Sequence, residues 1–243
     1  MGAIIRLYSA GETWEVPVLF EDAYLLAVDK PSGLPAAPSG PDRTDPSLLG
    51  LLHAGIAAGK SWAKERGLRV TCEVTPHHFT LIDEDVNYDS RFKMNPPLAS
   101  REDREALIAG LADGAVDVIA TDHAPHEPAL KNVEFDRAPF GILGFETALS
   151  LTLEQLVVTN KISLMRMVEL FTTGPARVLG IERKLAAGQP ADVTLFSTTL
   201  PWTYKATDSP SKSRNSPFDG HSFRGAPMAT IVAGKIVFNR HAA

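Results

Sequence analysis

The chain has 243 residues, of which 44% are hydrophobic and 22% charged, a composition typical of a globular protein with a sizeable core. The net charge of −5 gives no electrostatic footprint for nucleic acid. A single cysteine, Cys72, excludes an intrachain disulfide and a cysteine-based zinc cluster. Because the sequence has neither an 18-residue apolar run nor a signal-peptide pattern, we expect a cytoplasmic protein without a membrane span.

The amino-terminal part combines short apolar runs with a proline-rich stretch. Residues 16–29 hold two apolar runs separated by an acidic pair, which predicts a hairpin with a polar turn. Residues 30–41 contain four prolines and two glycines, and this composition predicts a linker or an extended loop. Residues 47–66 follow a helical pattern that three glycines weaken.

The middle of the chain predicts a strand, a helix and a second strand in succession. Residues 116–120 form an apolar run rich in Val and Ile, as buried strands do, and residues 69–74 predict a strand that ends at Thr75-Pro76. Between them, residues 102–112 form the predicted helix, with Ser100 as its N-cap and Gly114 just past its end. A strand, a helix and a strand in this order indicate a parallel sheet.

The carboxyl-terminal part changes from helices to strands. Two further helices are predicted at residues 144–158 and 163–179. Residues 191–196 and 229–238 are strand-like, and the second of these runs has a Gly-Lys turn in its middle. We place a domain boundary near residue 185, with a small β unit after it.

The strongest chemical signal is the run Thr-Asp-His-Ala-Pro-His at residues 121–126, directly after the second predicted strand. Polar residues at the carboxyl end of a strand are where α/β barrels place catalytic groups. Asp122 could bind a cation such as zinc or move a proton, and a histidine could hold a substrate carboxylate. The alternative is a capped turn in which Asp122 bonds its own backbone. An acid and two histidines together favour function.

Three other segments carry candidate groups. His77 and His78 follow the first strand and suggest a metal ligand, but neighbours on an extended chain point to opposite sides, so at most one would face a shared site. Asn95, before two prolines, suits recognition of an amide edge, or belongs to an ordinary proline loop. Gly141, beside Phe140, lets a ligand approach the backbone closely, and a plain turn fits equally well.

Taken together, these segments resemble class I dihydroorotase, from about residue 63 to residue 238. The matching segments are residues 70–78, 92–98, 118–126, 138–142, 191–193 and 215–220. The resemblance implies an α/β fold, the (β/α)8 barrel of an amidohydrolase with a small β domain. It also implies the reversible hydrolysis of dihydroorotate to carbamoyl aspartate on a zinc centre, a step of pyrimidine biosynthesis.

The resemblance also implies roles for individual residues. Asp122 corresponds to the metal ligand and proton shuttle on the last barrel strand. The implied substrate contacts are Asn95, His126, Phe140 and Gly141. His77 and His78 lie where the family has a strand-end pair that is not part of its metal set.

Most of the family's metal ligands have no counterpart here. The His-x-His pair of the first strand, the carboxylated lysine or aspartate and two later histidines are absent, and only the last two barrel strands are present. Two strands cannot close a barrel. We therefore predict a partial (β/α)8 barrel at residues 59–184 and a small β domain at residues 185–243. Alone, this chain should neither bind zinc tightly nor hydrolyse dihydroorotate.

Residues 1–58 have a different resemblance. Residues 18–35 resemble the start of the catalytic domain of pseudouridine synthases, although the later His-Arg-Leu-Asp motif of that family is absent. Two alternatives stay open: a non-catalytic dihydroorotase homologue that binds a partner chain or another copy of itself, and a pseudouridine synthase remnant. If the chain is a dihydroorotase, we expect dihydroorotate as its ligand. We expect neither nucleic acid nor a membrane as a partner.

Overall fold

The computed structural model describes residues 4–9, 12–21, 26–28, 71–181 and 184–240. The chain divides into two compact units, residues 1–71 and residues 72–243. Among the described residues, no helix has the length and apolar character needed to cross a membrane.

The first unit contains a three-stranded antiparallel sheet. Its strands are β1 (Ile4–Ser9), β2 (Glu12–Glu21) and β3 (Leu26–Val28), with β2 in the centre. Val18 lies opposite Val28, which confirms the hairpin predicted within residues 16–29. The loop predicted at residues 30–41 and the helix predicted at residues 47–66 lie outside the described residues.

The second unit begins with the predicted strand, helix and strand. Strands β4 (Glu73–Val74) and β5 (Val118–Ile119) pair in parallel, and helix α1 (Arg101–Asp113) connects them. Ser100 and Asp103 form a capping box, each side chain bonded to the other residue's backbone N–H, and Gly114 ends the helix at φ 90°. In the described residues the pairing is limited to two residues of each strand, fewer than the sequence predicts. The described strands do not form a barrel.

The later helices are shorter than the sequence predicts. They are α2 (Pro128–Lys131), α3 (Ala148–Thr152), which continues into a π turn (Leu153–Val157), α4 (Leu164–Phe171) and α5 (Thr173–Leu179). The predicted helix at residues 144–158 begins only at Ala148, after a segment in which the backbone N–H groups of Gly144 and Phe145 donate to His123 Nδ1. The predicted helix at residues 163–179 is broken at Thr172, whose φ and ψ of −128° and −82° are not helical.

A second antiparallel sheet follows the helices. It contains β6 (Val193–Thr203), β7 (Ser222–Val232) and β8 (Lys235–Asn239) in sequential order. Val232 pairs with Lys235 across a turn whose two residues both have positive φ. The strands predicted at residues 191–196 and 229–238 are therefore confirmed. The domain boundaries near residues 58 and 185 stay predictions.

Two apolar clusters hold the second unit together. The first lies between β4, β5, α1, the π turn and α4, and includes Val74, Leu111, Ile119, Leu153 and Leu170. The second joins the loops after β4 and β5 to the later sheet, and includes Met94, Leu98, Ile142, Leu151, Tyr204, Phe218 and Phe223. The loops that carry the candidate site are thus held by packing on the sheet.

Gly225 marks the closest approach between the sheet and the helical layer. It has φ 87°, and an added Cβ would collide with Leu153 Cδ1 and lie 3.1 Å from the Ser197 carbonyl oxygen. We expect Gly225→Ala to lower the free energy of unfolding by about 3 kcal/mol, from backbone strain plus overpacking. Gly220→Ala is the matched control, because Gly220 has φ 82° but no neighbour within 4 Å of the added Cβ. Urea denaturation would measure both, and equal losses would contradict the crowding at Gly225.

Candidate functional site

The chain turns sharply at Asp122, directly after β5. Asp122 has φ 44°, a left-handed conformation that Asp tolerates better than most residues. Its side chain is exposed and makes no hydrogen bond with any described residue, so the capped-turn alternative does not account for it. The following residues run beside residue 142, because His123 forms a parallel bridge with Ile142 and the Ala124 N–H donates to the Ile142 carbonyl at 2.8 Å.

His123 stabilises the loop rather than presenting a free ring. Its Nδ1 accepts from the backbone N–H groups of Gly144 at 3.1 Å and Phe145 at 3.3 Å. The imidazole also stacks on the Phe145 ring, with 3.9 Å between centroids and 4° between planes. An Nδ1 that accepts hydrogen bonds carries no proton, so the neutral ring has its proton on Nε2.

His126 and Asn215 connect the loop after β5 to the loop at residues 138–142. The His126 Nε2–H donates to the Phe140 carbonyl at 2.6 Å, and the His126 backbone N–H donates to Asn215 Oδ1 at 3.2 Å. Asn215 Nδ2 donates to the carbonyls of Ala124 at 3.0 Å and Gly141 at 3.1 Å. The buried Asn215 amide therefore bonds both loops. Sequence reasoning gave this residue no role beyond its place in the segment 215–220.

Gly141 is required by a close approach within the chain itself. It has φ 124°, and an added Cβ would lie 2.5 Å from Ala124 Cβ and 3.1 Å from His126 Nε2. The sequence predicts either a ligand or a plain turn as the reason for this glycine. Among the described residues the approaching group is Ala124, and a substrate contact at Phe140 and Gly141 stays a prediction.

Lys131 holds the Asn95 loop against the loop at residues 138–142. Lys131 is 3% exposed, and its ammonium donates to the carbonyls of Lys93 at 3.0 Å and Pro139 at 2.7 Å. The Lys93 carbonyl also accepts from the Gly141 N–H at 2.9 Å. Burial, and then the charge of Lys93, lower the pKa of Lys131 to about 8. Lys131 is not predicted from the sequence, because it lies in a helix of four residues without a motif of its own.

His78 connects β4 to the Asn95 loop. Its Nδ1 lies 2.6 Å from the Thr75 hydroxyl oxygen, and its Nε2 lies 2.9 Å from the Pro96 carbonyl oxygen. Burial lowers the pKa of His78, although the Pro96 carbonyl and the charge of Asp122 oppose this shift.

His77 lies beside His78 and is more deeply buried. The expected arrangement on opposite sides does not occur, because residues 76–80 form a turn instead of an extended chain, and the two rings are 4.5 Å apart. His77 is 2% exposed, and its Nε2 has no hydrogen-bond partner among the described residues. Burial, followed by the charge of His78, lowers the pKa of His77 to about 3.

The structure therefore brings most of the predicted residues to one edge of the unit. Asp122 and His126 lie on the loop after β5, and hydrogen bonds join that loop to Phe140 and Gly141. Asn95 is exposed on a loop that is bonded to the same group through its neighbours. In the described part of the chain, however, no three His, Cys, Asp or Glu side chains are placed to hold a metal ion. These residues alone do not fit a zinc centre.

The chain matches a known protein family over most of its length. The family model described as "Amidohydrolase family" matches residues 53–237. The chain belongs to the amidohydrolase family. It is 54% identical over 181 residues to a protein of Solibacter usitatus named dihydroorotase, and 50% identical over 180 residues to a dihydroorotase of Pelobacter propionicus. These alignments cover 74% and 73% of this chain and 42% of each relative, so the chain spans less than half the length of these relatives.

Solved structures agree with this assignment. An L-hydantoinase from Arthrobacter aurescens superposes with a TM-score of 0.71 at 29% identity, over 77% of this chain and 43% of that one. A D-hydantoinase from Thermus sp. has a TM-score of 0.66 at 24% identity, over 75% of this chain and 42% of that one, and supports the fold alone. The family and the mixed α/β fold are confirmed, whereas a closed barrel is not among the described elements.

We predict that His77 makes stability depend on pH below neutrality. A histidine of unfolded chains has a pKa near 6.5, whereas the pKa of His77 in the fold is about 3. Between pH 3 and pH 6.5 the His77 imidazole therefore binds a proton in the unfolded state but not in the folded state. This contribution to stability is complete above pH 6.5 and declines by about 1.4 kcal/mol per pH unit as the pH falls towards 3.

Urea denaturation between pH 7 and pH 4 would measure this effect. His77→Gln should lose the extra slope, while His221→Gln, at an exposed histidine, should keep it. If His77→Gln does not fold, an NMR titration of the wild-type ring decides the matter. Protonation of His77 near pH 6.5 in the folded protein would show the prediction to be wrong.

We predict that Asn215→Ala destabilises the site loops. The substitution removes three hydrogen bonds and leaves the half-buried Ala124 carbonyl and the buried Gly141 carbonyl without this donor. The expected loss in the free energy of unfolding is about 2–3 kcal/mol, with faster hydrogen exchange at the His126 amide. Asn132→Ala is the control, since Asn132 is exposed and its side chain bonds no described residue. Unchanged exchange at His126 would contradict this role of Asn215.

Proposed function

We propose that the chain provides the substrate-contacting, carboxyl-terminal part of a dihydroorotase-type cyclic amidohydrolase. The observation that carries the proposal is the assembly of Asp122, His126 and the Asn95 loop at one edge, in a chain 54% identical to a protein named dihydroorotase over 181 residues. The proposed ligand is dihydroorotate, and the proposed reaction is the reversible hydrolysis of its cyclic amide.

Asp122 is the proposed proton-transferring group. Its carboxylate is exposed and without hydrogen bonds to described residues, so both oxygens are available to a substrate. The left-handed backbone at Asp122 fixes the point where the chain leaves β5. An acid in this position could accept or return a proton during opening and closing of the ring.

His126 and Asn95 are the proposed substrate contacts. His126 donates its Nε2–H to the Phe140 carbonyl, which leaves Nδ1 of the neutral ring as an acceptor for a ring N–H of the substrate. The Gly141 N–H and carbonyl are already bonded to Lys93 and Asn215, so the Phe140 N–H is the backbone donor proposed for a substrate at this point. Asn95 offers both a donor and an acceptor to an amide edge.

The described residues do not by themselves complete the catalytic site. Asp122 is a single carboxylate, and the described chain places no further ligands of a metal set around it. We therefore propose that catalysis requires metal ligands that the described residues do not supply, and that this chain and a complementary amidohydrolase segment together form one site. Such association fits the two-stranded described sheet of β4 and β5, because unpaired strand edges favour pairing with another chain.

A reconstitution experiment tests this function. The purified chain should contain substoichiometric zinc and should not hydrolyse dihydroorotate. Addition of a polypeptide carrying the part of the Solibacter usitatus relative that this chain does not match should restore both zinc binding and turnover. Asp122→Asn should abolish turnover of the mixture, while Glu127→Gln, at an exposed neighbour on the same loop, should retain it.

Three outcomes separate the alternatives. Stoichiometric zinc and turnover by the isolated chain would contradict the proposed need for a complement. Association without turnover would favour the non-catalytic binding partner. The absence of both association and turnover would remove the support for both functions.

A further inference from the structure

A second site is indicated by a positively lined pocket beneath α2. This open cavity of about 260 Å³ is lined by residues that include Asp89, Arg91, Lys131, Asn132, Arg214 and Asn215. Three cations and one carboxylate give the lining a formal charge of +2, whereas the whole chain carries −5. The pocket lining is thus positively charged, whereas the whole chain has a negative net charge.

Lys131 and Arg214 account for the excess positive charge. Arg91 is neutralised by Asp89, at 2.6 Å between Nη2 and Oδ2. Arg214 donates from Nη1 to the carbonyls of Ser211 and Ser213, and Lys131 also donates to carbonyls. Neither cation forms an ion pair with a carboxylate of the described chain.

These residues retain donors for a ligand. Lys131 has three N–H bonds and uses two for the carbonyls of Lys93 and Pro139. The Nη2 of Arg214 and the side-chain amide of Asn132 donate to no described residue. Charge-assisted hydrogen bonds from an ammonium and a guanidinium are the strong contacts by which proteins bind carboxylates and phosphates.

The charge on Lys131 is itself disfavoured in the absence of an anion. Burial and the nearby charge of Lys93 both lower its pKa, and Asp89 opposes them only in part. An anion beside Lys131 would supply the missing negative charge and stabilise the protonated amine. Anion binding and protonation of Lys131 are therefore linked, and each favours the other.

We propose that this pocket binds a small oxyanion of the phosphate or carboxylate class. Its volume of 260 Å³ is below the roughly 300–1,000 Å³ typical of sites for drug-sized ligands. It is large enough for a tetrahedral or planar oxyanion with a few waters, each of which takes about 30 Å³. This proposal does not depend on the proposed amidohydrolase function, because neither a metal nor dihydroorotate takes part.

Isothermal titration calorimetry of the full chain with inorganic phosphate tests the proposal at low chloride concentration. We expect saturable binding in the millimolar range. Arg214→Gln should weaken the affinity about tenfold, because a hydrogen bond to a charged group is lost. Lys212→Gln is the matched control, because it removes a positive charge from an exposed residue of the same loop that does not line the pocket.

A parallel titration with acetate at equal ionic strength distinguishes the two sources of the oxyanion. Binding of phosphate alone assigns a phosphate ligand, and binding of both anions assigns a site that also accepts carboxylates. Saturable binding that Arg214→Gln weakens and Lys212→Gln preserves would support the pocket. No saturable binding of either anion, or equal weakening by both substitutions, would overturn it.

Discussion

The ammonium of Lys131 determines how the loops of the candidate site lie against one another. A buried charge is costly unless hydrogen bonds replace its hydration, and Lys131 obtains them from the carbonyls of Lys93 and Pro139. Those carbonyls must therefore stay within hydrogen-bonding distance of one amine. Asn95 lies two residues after the first carbonyl and Phe140 one residue after the second, so their backbone positions follow from the same constraint.

Most polar groups of the site serve the fold. His123 accepts from two backbone amides, His126 donates to the Phe140 carbonyl, and Asn215 bonds three backbone groups. These bonds satisfy loop backbone that no regular ladder pairs, as buried polar groups require. Asp122 differs, because its carboxylate bonds no described residue. Hydrogen bonds from side chains thus fix the loop, and Asp122 is the acid on it whose carboxylate stays available to a ligand.

Local sequence signals predicted the elements whose stability is local. Helix α1 has its N-cap at Ser100 and its terminal Gly114 within its own segment, and it was predicted within one residue at each end. The helix expected at residues 144–158 begins only at Ala148, after a segment that bonds to His123, about twenty residues earlier in the sequence. Lys131 and Asn215 were missed because their partners lie as far as 38 and 91 residues away in the sequence.

The same difference between local and distant contacts explains how the loops after β4 and β5 keep their geometry although the described residues hold no complete set of metal ligands. The loops after β4 and β5 are held by bonds among residues 75–141 and 215, all within the matched region, so their geometry needs no other part of the family fold. A binuclear zinc centre, in contrast, needs ligands from several strands at once. Similarity over 42% of a relative can therefore preserve these loops, whereas a metal centre would need ligands beyond the described residues.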